Sequence, residues 1–490
     1  MAVPGKDDAE GWLNFLSVRH DAEIPVLEDL NRYYEGTQPL SYMHPEIFAE
    51  VGDRIKPVII AWPQLVVDAI EERLDVEGFR QPDEDGDDTD LWRVWQANDM
   101  DEQSQLAHVD SLVMRRSYVS VGTNEEDRDT PLLAAESPLE MYAYIDPRTR
   151  KILAALRRVV VDDSFARETE RSATLYLPND TIFYGRNSSQ WKEDDRDRHG
   201  LGEPPVVSLI NRGRLTSTRT RDPNVLSRSR YGSSELAPIL PLSDAANKIA
   251  TDMMIAAEFL TTPVHGFFGL GPEDLVDQNG NKLTPYQALL RKFLLIPNGV
   301  DEGVKEFEFS GASLTGFHES INKLGQLVAS LAGLPPHYLG FTTDNPASAD
   351  AIRSSEARLV KRAERKQRPW GGSYERMCRL VRRFQSGEWD PKLKQLETRW
   401  RDASTPTVAQ TADAAYKYYT PPAPGMRPIL TLRAARELIG KSDAEIRRMD
   451  AEDEEADRRA AELDPVGVLA DRIQPNDQPP RPEPADVVGA

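Results

Sequence analysis

Between residues 314 and 383 an apolar-striped segment, a Pro-Pro break, a short polar loop and a run dense in Lys and Arg follow one another. Leu314, Phe317, Ile321, Leu324, Val328 and Leu331 recur near the 3.6-residue period, so residues 314 to 332 are expected to form a helix with one apolar face. Pro335-Pro336 stop it, because proline has no N–H to donate and clashes with the preceding turn. After the loop Gly340 to Pro346, a long helix is expected from Ala347 to Arg383, kinked or split at Pro369.

Charge is distributed unevenly around that break. Residues 353 to 383 hold eleven Lys/Arg against three acids, a net +8. The whole chain carries −21, which leaves −29 for everything else. So acidic a protein is a poor candidate for gripping duplex DNA over its outer surface, since counterion release needs Lys and Arg. The basic helix is expected either to face DNA or to match an acidic surface nearby.

The N-terminal third reads as helical. Leu13, Leu16, Ile24, Leu27 and Leu30 pattern residues 9 to 35, with Pro25 expected to kink or divide them. A more buried helix is expected over 57 to 74, kinked or restarted at Pro63, and another from Leu91 to about Arg116. Residues 117 to 215 change character. β-branched and aromatic residues at strand spacing, with turn signals at 146 to 149 and 178 to 180, predict a mostly antiparallel β region. A long helix is expected over 233 to 260. A compact insert follows at 263 to 312, with a helix near 285 to 293 and strands at LLIP and KEFEFSG. Residues 391 to 402 read as a strand returning to the β region. Residues 407 to 463 read as helical, with Ser442 and Glu445 as a capping box. The Pro-rich end is expected to be disordered.

Catalytic signatures fail one by one. The seven histidines are scattered without metal-ligand spacing. Gly440-Lys441-Ser442 resembles the end of a phosphate-binding loop, but the earlier glycine that such a loop needs is Ala435, and a helix precedes it. A C-cap glycine followed by an N-cap serine explains it better. The single cysteine, Cys378, excludes an intrachain disulfide and reads as a buried thiol. The acidic runs at 83 to 90, 193 to 197 and 450 to 457 lack the ordered spacing of a calcium loop. No signal peptide and no membrane span are expected from the N-terminus or from any apolar window.

The order of elements, with the phrases LNRYYEGTQPL, YGSSELAPILPLSDAANKIATDMM and GLPPHYLGFTTDNPASADAIRSSEARLVKRAERKQ, resembles the portal proteins of tailed bacteriophages, those of siphoviruses infecting actinobacteria in particular. The resemblance covers nearly the whole chain apart from the last 25 or so residues. It implies an α+β portal fold: a wing at 1–233, stem helices at 234–262 and 313–333, and a clip between them at 263–312. A tunnel loop with its approach lies at 334–348, a long kinked helix at 349–386, a return to the wing at 387–404, a crown at 405–462 and a tail at 463–490. It further implies a ring of about twelve subunits, closed as rotational symmetry requires, at one capsid vertex of the virion and assembled in the host cytoplasm. Double-stranded DNA would pass through it. Partners would be the terminase large subunit, a head–tail adaptor, and the major capsid and scaffold proteins, with no membrane, cofactor, metal or catalytic residue.

On this resemblance Thr342, Thr343, Asp344, Asn345 and Ser348 face the DNA. Small neutral or acidic side chains can touch a sliding duplex without pairing with each phosphate. Ile249, Met253, Leu260, Ile321, Leu324 and Val328 would lie at the stem interface between subunits. Arg358, Lys361, Arg362, Arg365 and Lys366 would contact an adjacent subunit or DNA. The rival readings are another virion structural protein (a head-completion or baseplate component), a packaging ATPase or nuclease, and a DNA-binding regulator.

Overall fold

A computed structural model describes residues 3–5, 8–40, 56–82, 86–163, 168–185, 191–214, 231–260, 264–268, 293–296, 305–309, 313–340, 349–404, 406, 408–422 and 426–463. The chain forms two compact units, 1–404 and 405–490.

The first unit begins with α1 (Ala9–Glu35), capped by the Asp8 carboxylate, which accepts from the Gly11 N–H. Pro25 sits inside this one helix rather than dividing it. It is solvent-exposed, while Leu16, His20, Glu23, Leu27 and Leu30 on either side are buried, so packing outweighs the lost backbone bond. α2 (Trp62–Glu71) starts five residues later than the segment beginning at Pro57 suggested, with Pro63 in its first turn, where the missing N–H costs nothing. The helix expected from Leu91 to Arg116 is two helices, α3 (Thr89–Ala97) and α4 (Met100–Met114). The break is local chemistry. The Asn98 amide donates to the Val94 and Pro131 carbonyls, and Asp99 takes a left-handed φ of 52°.

Residues 116 to 210 are antiparallel throughout the described strands. β2 (Arg116–Gly122) is flanked by β3 (Leu132–Glu136) and β9 (Val206–Ile210). A five-stranded meander runs β4 (Met141–Ile145), β5 (Ile152–Asp163), β6 (Glu168–Tyr176), β7 (Thr181–Gly185) and β8 (Lys192–Asp197). Asp146 closes the first turn of this meander by accepting from the Thr149 N–H at 2.9 Å.

α5 (Leu240–Leu260) is shorter than the helix expected over 233 to 260, because Pro238 and Pro241 hold 235 to 239 in turns. The insert has a mixed sheet. β10 (Val264–Phe268) pairs in parallel with β11 (Phe293–Ile296) and antiparallel with β12 (Lys305–Phe309). The sequence predicts strands in this insert only at LLIP and KEFEFSG, so β10 is an addition to them. The helix expected near 285 to 293, the loop 341 to 348 and the tail beyond 463 lie outside the described residues. α6 (Thr315–Ala332) ends at Gly333, whose φ of 70° is the left-handed region that favours glycine. α7 (Ala349–Ser386) is one helix of 38 residues with Pro369 inside it, not two. β13 (Glu397–Trp400) pairs with β1 (Val76–Arg80) in a sheet of their own rather than returning to the β region of 117 to 215.

Two buried clusters hold this unit. In one, Trp12, Phe15 and Leu16 of α1 pack on the meander. The other gathers α2, α3, α4 and β2 around Trp370, Tyr374, Met377 and Cys378 of α7. A fully buried ion pair joins α1 to β2: Arg116 Nη1 donates to Glu23 Oε1 at 2.8 Å, and its guanidinium lies 4.8 Å from the Tyr231 ring centre.

The second unit comprises α8 (Val408–Tyr419), α9 (Leu432–Leu438) and α10 (Asp443–Leu463). The capping box is present: the Ser442 N–H donates to Glu445 at 3.1 Å, and the Glu445 N–H to the Ser442 hydroxyl at 3.3 Å. Gly440, at φ 81°, closes α9. Lys441 therefore lies in a turn between two helices, not in a phosphate cradle.

Candidate functional site

The long basic helix spends much of its charge inside its own chain. Glu235, 1% exposed, sits at the foot of α5 and accepts from both Arg362 and Lys366 of α7, with Arg212 at 3.6 Å. Lys366 is buried and also donates to the Asn211 side-chain oxygen. Burial alone would raise the Glu235 carboxyl. The Lys366 and Arg362 cations outweigh it and hold the carboxyl below the usual carboxylate range. Further along, Arg376 meets Glu203 at 3.2 Å and Arg382 meets Asp88 at 2.8 Å. Arg362 and Lys366, expected to reach an adjacent subunit or DNA, are thus engaged within the subunit. Arg358 donates to the Ser330 carbonyl at 2.7 Å and ties α7 to the end of α6. Lys361 pairs with Glu364 on the same helix, and Arg365 is exposed.

The two helices flanking the insert pack on one another, and this uses part of their apolar faces. Val328 is fully buried in the main core, while Ile249, Met253, Ile321 and Leu324 are half-buried. The Leu260 side chain lies outside the described residues. Met254 of α5 (47% exposed), with Leu327 (44%) and Leu331 (49%) of α6, stays open. Sequence periodicity put Leu331 on the packed stripe. It missed Met254 and Leu327 because a two-helix contact covers only one arc of each helix.

Thr342, Thr343, Asp344, Asn345 and Ser348 lie outside the described residues, and no contact is assigned to them. Among the described residues no group of three His, Cys, Asp or Glu could hold a metal ion. His20 is fully used: Nε2 pairs with the Pro138 carbonyl at 3.0 Å and Nδ1 with Arg158 at 2.8 Å. His108 is buried, 2.9 Å from the Tyr374 hydroxyl and stacked on Trp370. Burial pushes the Cys378 thiol well up, which makes it inert. An open depression of about 520 Å³ is lined by Asp90, Arg93, Asp127, Asp129, Arg382 and Gln385. Its charges largely pair with one another, as in Arg93–Asp90 at 2.9 Å and Arg382–Asp90 at 2.5 Å.

Residues 13–459 match the family described as phage portal protein, SPP1 Gp6-like. The chain belongs to that family. The portal protein of Mycobacterium phage D29 is 38% identical over 473 residues, covering 93% of this chain and 92% of that one. The portal protein of Mycobacterium phage L5 is 36% identical over 438 residues, covering 87% and 86%. Among solved structures, a chain from the neck of an empty GTA particle, computed with C6 symmetry, aligns with 84% of this chain and 93% of its own, at 14% identity and a TM-score of 0.43. The neck of the native GTA particle, computed with C12 symmetry, aligns at a TM-score of 0.39 and 14% identity over 84% and 93%.

As a portal protein of the actinobacterial-phage type, the molecule forms a channel at the capsid vertex. Portal proteins are structural components of the virion. No helix among the described residues is long and apolar enough to cross a membrane.

Proposed function

We propose that about twelve copies close into the ring by a repeated head-to-tail contact, the kind of interface that closes when its rotation divides a full turn. The observation that carries this reading is that Met254 of α5 and Leu327 and Leu331 of α6 stay open on the paired helices, which we read as one apolar strip. These helices are the stem, with the insert between them as the clip, residues 1–233 and 387–404 as the wing, and 405–462 as the crown. A neighbouring subunit covers the strip.

The clip docks the terminase large subunit during packaging and a head–tail adaptor afterwards. The ring is built in the host cytoplasm together with major capsid and scaffold proteins. Thr342, Thr343, Asp344, Asn345 and Ser348 line the narrowest passage, where neutral and acidic side chains let the duplex slide. The exposed cations Arg358, Lys361 and Arg365 meet acidic surface on the next subunit.

Charge reversal at Lys361 and Arg365 separates the two roles open to that helix. Loss of rings supports the subunit contact. Intact rings that fail to package make direct DNA contact the better account. For the stem, Leu327→Asp and Leu331→Asp should leave the monomer folded, by circular dichroism and thermal unfolding, while abolishing rings in electron micrographs. Normal rings from both variants would remove the strip from the interface.

A further inference from the structure

Arg73, just past the end of α2, is 7% exposed at its side chain and donates in three directions. Nη1 gives a 2.7 Å hydrogen bond to the Ala403 carbonyl. Nη2 reaches the Tyr338 oxygen at 3.1 Å and Glu356 Oε2 at 3.3 Å. The Tyr338 hydroxyl in turn donates to Glu356 Oε1 at 3.4 Å, which closes a triangle. The backbone of Arg73 is held too: Gln367 donates to its carbonyl at 3.4 Å and to that of Arg401 at 3.1 Å.

The places these partners hold in the chain give the cluster its meaning. Tyr338 belongs to the short 3-10 turn Pro336–Leu339, which Gly340 separates from residues 341–348. Glu356 is the eighth residue of α7, which begins at Ala349 directly after them. Ala403 is the penultimate residue of the first unit. One guanidinium therefore binds the chain on both sides of a short segment to α2 and to the end of β13's continuation. Arginine suits this role and lysine does not. A planar fork with five donors can serve three acceptors at fixed angles, whereas an ammonium is a point charge on a flexible stem. Enclosure strengthens the arrangement, because a partly buried charge pair is little screened and costly to break singly.

We infer that Arg73 is the positioning residue for residues 341–348, fixing the separation and direction of their two roots. This rests on the reading of 341–348 as the DNA-facing loop. DNA moving through the ring pushes on whatever it touches, and the clamp holds the residues on either side of 341–348 to the body of the subunit under that load. No motif announces the device. Its members are 265, 283 and 330 residues from Arg73 in sequence.

The test uses the full chain carrying Arg73→Lys and, separately, Tyr338→Phe, which removes only the hydroxyl between the roots. Hydrogen exchange of assembled rings reads the clamp, and the DNA content of particles complemented by each variant reads its use. The expected result is normal rings, exchange about tenfold faster in peptides covering 336–340 and 349–358, as loss of one hydrogen bond of ordinary strength predicts, and particles with less packaged DNA. Exchange unchanged in both variants overturns the clamp. Faster exchange with full DNA content overturns its role in packaging. Failure of the unmutated chain to support packaging would instead refute the loop reading, and the exchange comparison would still decide whether Arg73 holds the roots. If Arg73→Lys forms no rings, Tyr338→Phe alone decides.

Discussion

At the scale of single residues, the buried charges of this chain are held by named partners, and removing one partner should cost more than a surface pair would. Glu235→Gln leaves Arg362, Lys366 and Arg212 around a neutral amide, and breaking a buried pair in this way costs about 3–5 kcal/mol. Denaturant unfolding of the variant should show that loss, and a change within 0.5 kcal/mol would mean the cations find other partners. The Glu235 carboxyl is held below its ordinary range, so its contribution is present at neutral pH and fades as pH falls through that lowered value. His20 behaves differently. Burial, then the nearby Arg158 cation, lowers it from 6.5 to about 4. The folded state therefore holds it neutral where the unfolded chain binds a proton, and stability is lost as pH falls from 6.5 towards 4 by up to roughly 3 kcal/mol. A His20→Gln variant should show a flatter stability profile over that window. An unchanged slope would assign the acid sensitivity elsewhere. Burial raises Glu71 and Glu136 to about 7 and gives a slope of opposite sign, so the variant must be compared with the parent at each pH.

Secondary-structure elements were legible in the sequence to the extent that each carried its own period. The apolar spacing of α6 and the alternation of the β region needed no tertiary information to mark a helix and strands, and both elements formed, although Leu331 of the expected α6 stripe is open. The proline positions were ambiguous for a physical reason. Pro25 and Pro369 each cost one backbone bond, and whether a helix bends or breaks there depends on how firmly its two halves are packed, which periodicity does not state. α3 and α4 divide at Asn98 because of side-chain bonds to residues as distant as Pro131. The basic helix is the clearest case. Its charge could be counted in the sequence, but the acids that answer it, Asp88 and Asp90, Glu203 and Glu235, come from three separate stretches. The clamp on Arg73 was invisible for the same reason. The outcome expected at this scale is that Leu327 and Leu331 act through assembly, whereas Val328→Asp, at a fully buried core position, unfolds the subunit itself. Equal melting temperatures for Leu331→Asp and Val328→Asp would erase that distinction between an open and a closed face.

For the whole molecule, family membership came from the order of several unremarkable phrases, not from any reactive group, and the match over residues 13–459 agrees with that order. A conduit has little need of a catalytic constellation. It needs long helices held rigidly and faces that another copy will cover. The central claim is therefore assembly, and the most direct measurement is single-particle electron microscopy of the purified protein with native mass spectrometry on the same sample. The account predicts rings of about twelve 55.0 kDa subunits around an open channel, with the Met254, Leu327 and Leu331 strip inside the subunit contact. A protein that stays monomeric or dimeric, both alone and when produced with its capsid and scaffold proteins, or a ring in which that strip faces solvent, would contradict it.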